Sequence, residues 1–255
     1  MSRFGYTSLG FGSGASAAAP AWEDVYSVAF DGSNDYLTCG TVASLASVDE
    51  FGISFWYKGG TASIEAIMGT GYATASGSSI TFYTAGAYIY FHAQEGSDPN
   101  PVYITATKPS TGNWHHIVGN YASSALELFI DGSSAGTGAG VSALDADAGD
   151  NFKMGTIPAY STYYGNVSID EVAFFASPLT SGQVTNIYKG ETNGGSGGTN
   201  GTPGDLSTFS PDHWWRMGDG DTYDTISDTN GGGIGNNDGT MINMDSGDIV
   251  ADVPS

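Results

Sequence analysis

The chain has 255 residues, 40% of them apolar, enough for one large domain with a real core. Its 27 acidic residues stand against 6 Lys and Arg, a formal net charge of −21. That balance excludes nucleic acid, whose phosphates need Lys or Arg, disfavours an anionic membrane surface, and favours cations and a setting where salt screens the charge. Cys39 is the single cysteine, so no intrachain disulfide forms; at the end of a strand-like run it reads as a small buried apolar residue. No apolar run approaches the roughly 20 residues of a membrane-spanning helix.

Residues 1–21 are a Gly/Ala/Ser arm carrying Phe4, Tyr6, Leu9 and Phe11. The arm lacks the apolar block of a secretory leader and does not read as a signal peptide, which leaves open a protein made in the cytosol that leaves the cell by another route. Its glycines, Gly10, Gly12 and Gly14, do not make a phosphate loop, because no strand precedes them and no Lys follows. The four apolar side chains are expected to anchor a flexible docking arm.

Residues 22–190 alternate strand and turn signals, as all-β proteins do. Ser27–Thr38 holds a strand, an Asp-Gly turn and a short return. Phe51–Lys58 alternates, with Phe51, Ile53, Phe55 and Tyr57 on one face. Ile80–Tyr83 and Ala87–Ala93 read as a hairpin about Ala85-Gly86, and Trp114–Tyr121 with Ala125–Asp131 as another. In the second hairpin Leu126, Leu128 and Ile130 share a face opposite Glu127 and Phe129. Val167–Phe175 is the last strong strand, with Asp170, Val172 and Phe174 on one side by strict alternation. Strands at this spacing without alternating helices indicate an antiparallel β-sandwich. Thr180-Ser-Gly-Gln183 has the capping-box form, Leu179 and Val184 occupy staple positions, and Gly190 suits a stop, so a short helix is expected near 180–189. Residues 191–204, rich in Gly and Ser, read as a linker. Residues 205–255 form a tail with one aromatic run, His213-Trp-Trp-Arg-Met217, and a long Asp/Gly/Asn loop.

The segments Val28-Ala-Phe-Asp-Gly-Ser-Asn-Asp-Tyr-Leu37, Ile53-Ser-Phe-Trp-Tyr-Lys58, Trp114-His-His-Ile-Val118, Leu126-Glu-Leu-Phe-Ile-Asp-Gly132 and Gly165-Asn-Val-Ser-Ile-Asp-Glu-Val-Ala-Phe-Phe175, closed by the short helix, come in a telling order. That order resembles the laminin-G-like family of the concanavalin A-like lectin/glucanase jelly roll. The resemblance implies an all-β jelly-roll sandwich built for display and binding. The tail from Trp214 to Met241 looks like the family's opening segment, here placed last. It completes the same sandwich, donates strands to a neighbouring subunit, or opens a truncated second repeat; the first two are favoured, because so short a run cannot bury itself. The Gly-rich arm with a WWRMGDGD tail also resembles structural proteins of tailed, notably marine, bacteriophages. That implies a homo-oligomeric virion-surface protein (capsid decoration, head fibre or tail fibre) docked on other virion proteins. The alternative is a secreted bacterial lectin-like carbohydrate-binding module.

Catalysis is not expected. Glycosidases need two carboxylates flanking a bond. The E-x-D-x-x-E motif of the laminarinase-like branch is absent, and Asp170 and Glu171 are adjacent, hence on opposite sides of a regular strand. The four histidines show no Ser-His-Asp motif. Calcium is the better chemical expectation, since Asp224, Asp228, Asn230, Asn237 and Asp238 offer oxygens in a glycine-permitted loop. The resemblance implies that such a loop meets Asp170 and Glu171 at a metal; the alternative is a solvated acidic turn. Asp145, Asp147 and Asp150 read as an ordinary acidic loop, and Asp31 and Asp35 as turn residues. For glycans, Tyr160, Tyr163 and Tyr164 are the stacking candidates, with Tyr72 and Tyr103 behind them; the alternative is packing at subunit contacts.

Overall fold

The computed structural model describes residues 22–46, 48–71, 79–94, 102–122, 125–139, 144, 151–158, 163–229 and 237–255. Phe4, Tyr6, Leu9, Phe11, Tyr72, Asp145, Asp147, Asp150, Tyr160 and Asn230 lie outside the described residues. The chain runs β1 (Ser27–Asp31), β2 (Tyr36–Gly40), β3 (Glu50–Gly59), β4 (Ile64–Gly69), β5 (Ser79–Ala85) and β6 (Tyr88–Gln94). It continues with β7 (Val102–Thr107), β8 (Trp114–Ala122), β9 (Ala125–Ile130), β10 (Ser133–Ala139), β11 (Phe152–Met154) and β12 (Asn166–Phe175). A helix α1 (Ser181–Tyr188) precedes β13 (His213–Trp215), β14 (Thr225–Ile226), β15 (Gly239–Ile242) and β16 (Ile249–Val250).

Two antiparallel sheets stack face to face, the sandwich expected from the strand spacing and the jelly roll that the resemblance implies. The first has the order β10-β9-β8-β3-β12-β1-β16, with β13 also on β12. The second has the order β14-β15-β2-β11-β4-β5-β6-β7. The alternation of β3 puts Phe51, Ile53, Phe55 and Tyr57 into the inter-sheet core. There Phe55 meets Phe82 edge-on at 5.0 Å, and Phe82 stacks on Phe91 at 4.6 Å. Position 119 of β8 faces this cluster and must be glycine: a Cβ there would stand 2.5 Å from Phe82 Cζ.

The outer face of the first sheet is covered as well. Val118, Phe129, Ala173 and Phe175 point outward and pack under Leu179, Val184, Ile187, Leu206, Phe209 and Trp214. The helix seats this cover through its capping box: Gln183 N donates to Thr180 Oγ1 at 3.3 Å, and Thr180 N to Gln183 Oε1 at 2.9 Å. Residues 191–204 are a bonded run of turns, with Gly198 N donating to Glu191 Oε1 and Gly201 N to Tyr188 O. Among the described residues no helix is long and apolar enough to cross a membrane.

The tail pairs within its own chain: β13 with β12, β15 with β2 and β16 with β1. It supplies Trp215, Met217, Ile226, Met241 and Met244 to the inter-sheet core. Trp215 is fully buried beside Phe152 at 5.5 Å and Phe174 at 5.7 Å, and its Nε1 donates to Asn237 O at 2.7 Å.

One expectation about β12 is corrected. Val167 and Ile169 point into the core, and so do Val172 and Phe174, so alternation skips a residue between them. The register against β3 shifts between Asp170 and Ala173, and Glu171 takes a left-handed φ of 47°. This is a β-bulge, and it falls where β1 ends its pairing with β12 and β13 begins. Asp170 therefore does not share a face with Val172, and the adjacent carboxylates are not on opposite sides.

Candidate functional site

The outer face of the second sheet is open, and tyrosines cross it. Tyr83 of β5 and Tyr90 of β6 are directly paired, and their rings stack at 4.6 Å with 6° between planes. Tyr103 of β7 continues the row, 5.7 Å from Tyr90, and is 55% exposed. The parity that buries Ile80, Phe82, Ile89, Phe91 and Ile104 turns these rings outward. Tyr163 stands at the other side of Tyr83; with Ile64, Ala85 and Ile157 the two tyrosines line a cleft of about 230 Å³. Tyr164 lies apart from the row, its ring tilted against Tyr36 at 6.4 Å, and Lys153 Nζ sits 4.5 Å over Tyr36. A tyrosine presents a flat apolar body and a polar tip, which suits the C–H face and the hydroxyls of a sugar. Of the stacking candidates read from sequence, Tyr163 borders the row and Tyr164 does not. Tyr83 and Tyr90 were missed; the period-two pattern of both strands held the signal.

The second site is acidic and mostly covered. The bulge turns Asp170 and Glu171 together toward the outer side of the first sheet. Carboxylate oxygens of Asp24, Glu171 and Asp219 all lie within 4.8 Å of one another. Glu171 accepts from Trp214 Nε1 and, at 3.3 Å, from Arg216 Nε. Asp219 accepts from Val25 N and Tyr26 N at 3.1 Å each and pairs with Arg216 at 2.8 Å. Asp170 is fully buried; its Oδ1 accepts from Glu171 N, whereas Oδ2 meets no donor, and neither oxygen of Asp24 does. Burial pushes Glu171 up to about 8 and Asp24 up to about 7, and neighbouring carboxylates add to the rise for Asp24. Asp170 is raised by burial first and by Glu171 second.

The loop acids read from sequence do not join this group. Asp228 accepts from His213 Nδ1 at 2.6 Å, Trp214 N at 3.0 Å and Asn237 N at 3.3 Å, and so serves as an internal anchor of the tail. Asp238 Oδ1 accepts from Asp228 N, and Asn237 Nδ2 donates to the carbonyls of Cys39 and Thr41. Asp224, in left-handed backbone, accepts from Thr225 Oγ1. Of the expected ligands among the described residues, Glu171 is one of the three acids of the cluster and Asp170 stands beside it. Asp24 and Asp219 were missed because they reach it from opposite ends of the chain.

The histidines form one constellation that no linear motif shows. His115 Nδ1 lies 2.8 Å from Asp131 Oδ2, and its Nε2 lies 2.9 Å from Ser110 Oγ. The connectivity is that of a hydrolytic triad. Nearby donors are engaged, however: Gly112 N donates to Gly59 O and Asn113 Nδ2 to Ser110 Oγ. The network holds the turn before β8.

No curated protein matches the chain. Among solved structures, a Bacteroides ovatus protein provisionally described as carbohydrate binding superposes with a TM-score of 0.60 at 17% identity, over 91% of this chain. The match spans 62% of that protein's length. The CBM40 module of the Ruminococcus gnavus IT-sialidase, solved with α2,3-sialyllactose, superposes with a TM-score of 0.53 at 12% identity, over 63% of this chain and 95% of the module. These likenesses establish the fold. Residues 31–185 match the sequence profile of the laminin-G-type concanavalin A-like lectin/glucanases superfamily, and the chain belongs to that family.

Proposed function

We propose that this protein is a non-enzymatic carbohydrate-binding module whose platform is the tyrosine row of the second sheet. The observation that carries the reading is the outward stack of Tyr83, Tyr90 and Tyr103 with the Tyr163 cleft beside it. The family and the carbohydrate-binding description of the Bacteroides ovatus fold neighbour support it. A net charge of −21 repels acidic sugars, so the ligands are neutral glycans. Titration with neutral oligosaccharides tests this: quenching of tyrosine fluorescence that saturates, and that needs about tenfold more sugar in Tyr90→Ala, is the expected result.

The setting we propose is a bacteriophage particle, with the module displayed as a homo-oligomer on the capsid or tail and docked by Phe4, Tyr6, Leu9 and Phe11. The arm's composition and the WWRMGDGD tail favour this over a secreted bacterial lectin. Deleting residues 1–20 is expected to prevent incorporation into particles while leaving the sandwich folded. Normal incorporation of the deletion variant would remove the docking role.

A further inference from the structure

We propose that the cleft beside Tyr83 is a subsite for the methyl group of a 6-deoxyhexose, so that the module selects neutral glycans carrying sugars of the fucose or rhamnose type. The inference rests on the tyrosine face being the sugar platform and adds what that platform selects. The face changes character at Tyr83. With the strands in the order β4-β5-β6-β7, one side of the Tyr83 ring stacks on Tyr90, and the side toward β4 borders the cleft. Parallel rings 4.6 Å apart cover each other's faces, so this pair turns ring edges and hydroxyls outward. The cleft is the apolar counterpart. Ile64, Ala85, Ile157 and Tyr163 complete its walls, and among the described residues no charged or amide side chain lines it.

The walls are fixed by the backbone around them. Ile64 pairs with Ala85 across β4 and β5. Tyr163 is set opposite by a separate run: Thr156 bridges Tyr164, Thr156 Oγ1 donates to Tyr163 O at 2.8 Å, and Gly165 N donates to Gly155 O at 2.8 Å. Gly155 N donates to Ile67 O at 2.7 Å, which ties that run to β4. The run lies so close to β4 that a Cβ at Gly165 would stand 2.0 Å from Ala66 O. Ile64 and Tyr163 are exposed at the rim, whereas Ile157 is buried at the floor and belongs to neither apolar core. The cleft's volume of about 230 Å³ is below the roughly 300–1,000 Å³ that encloses a whole ligand, so it takes one edge of a larger sugar.

Chemistry decides which edge. A carboxylate is repelled by the net charge of −21. An acetamido group brings an N–H and a C=O that both need partners, and the lining offers only tyrosine hydroxyls. The C6 hydroxymethyl of an ordinary hexose would bury its hydroxyl against Ile64 and Ile157. A methyl needs no partner and gains from each apolar contact. A 6-deoxyhexose carries both features: hydroxyls for the polar tips of the row and one methyl for the cleft.

Saturation-transfer NMR on the full chain tests this with pairs that differ only at C6: L-fucose against L-galactose, and L-rhamnose against L-mannose. The expected result is strongest saturation at the C6 methyl, with the deoxy sugar of at least one pair binding about tenfold more tightly than its parent. Ile64→Ser, at the exposed rim, should bring that ratio to within about twofold. Equal affinities within both pairs, or a preference unchanged in Ile64→Ser, would overturn the subsite. If Tyr90→Ala still weakens both members of a pair in that case, the platform reading stands without it. No binding of any of the four sugars, alone or as the terminal residue of an oligosaccharide, would overturn both.

Discussion

The outer face of the first sheet carries charge under cover, whereas the outer face of the second sheet carries tyrosine in the open. Both faces begin from the same strand physics, in which every second residue points away from the core. They differ in what lies on top. Helix α1, the 191–210 turns and Trp214 close over the first sheet, so Asp170 and Glu171 are buried and their carboxyls rise far above the ordinary range. Nothing among the described residues closes over Tyr103, which stays 55% exposed. Buried charge needs a fixed internal partner; exposed rings suit a partner that comes and goes.

The comparison breaks most severely if the core beneath both faces is opened. Trp215→Ala takes a fully buried indole from between Phe152 and Phe174 and should cost about 3–5 kcal/mol, seen as a Tm lower by roughly 10 °C. Acid attacks the covered side next. Burial lowers His116, which packs beside Tyr188 of α1, from 6.5 to about 3. The unfolded chain takes up this proton first, so this stability is intact above about pH 6.5 and is lost as pH falls toward 3. For His116 the loss should be on the order of 3 kcal/mol by about pH 4. Denaturant midpoints across that range check it, and His116→Gln, which keeps a partner for Ser54 Oγ, should flatten the fall.

The open face should behave oppositely. Tyr90→Ala removes the central ring of the row and should weaken glycan binding about tenfold, or ~1.4 kcal/mol, while Tm moves by no more than about 2 °C. The smallest effect belongs to the edge of the cover. Thr180→Ala removes the cap of α1 and should cost about 1 kcal/mol, a drop of about 2–4 °C in Tm with glycan affinity unchanged.

The sandwich, its two expected hairpins and the helix cap were legible because each rests on local chemistry: period-two apolar positions, glycine turns and the Thr180–Gln183 box. The short strands β11, β13 and β14 were not, since so few residues carry no period. The bulge at Asp170–Glu171 was hidden too. A bulge depends on which strands flank it, here β1 giving way to β13, and the alternation rule assigned the two acids to opposite sides. Asp24 and Asp219 meet only through tertiary closure, so the loop richest in acids drew the reading toward Asp224–Asp238. In the folded chain Asp228 and Asn237 brace the tail instead. The tyrosine row was half visible: Tyr103 and Tyr163 were named and the hairpin of β5 and β6 was expected, but only its register shows that Tyr83 and Tyr90 stack.

The most direct measurement is a glycan array probed in parallel with the wild-type chain and a Tyr83→Ala/Tyr90→Ala variant of matched Tm. Neutral glycans that bind the wild type and are lost from the variant are the predicted result. An array with no wild-type binder, or binders that survive the double substitution, would contradict a sugar platform on the tyrosine face.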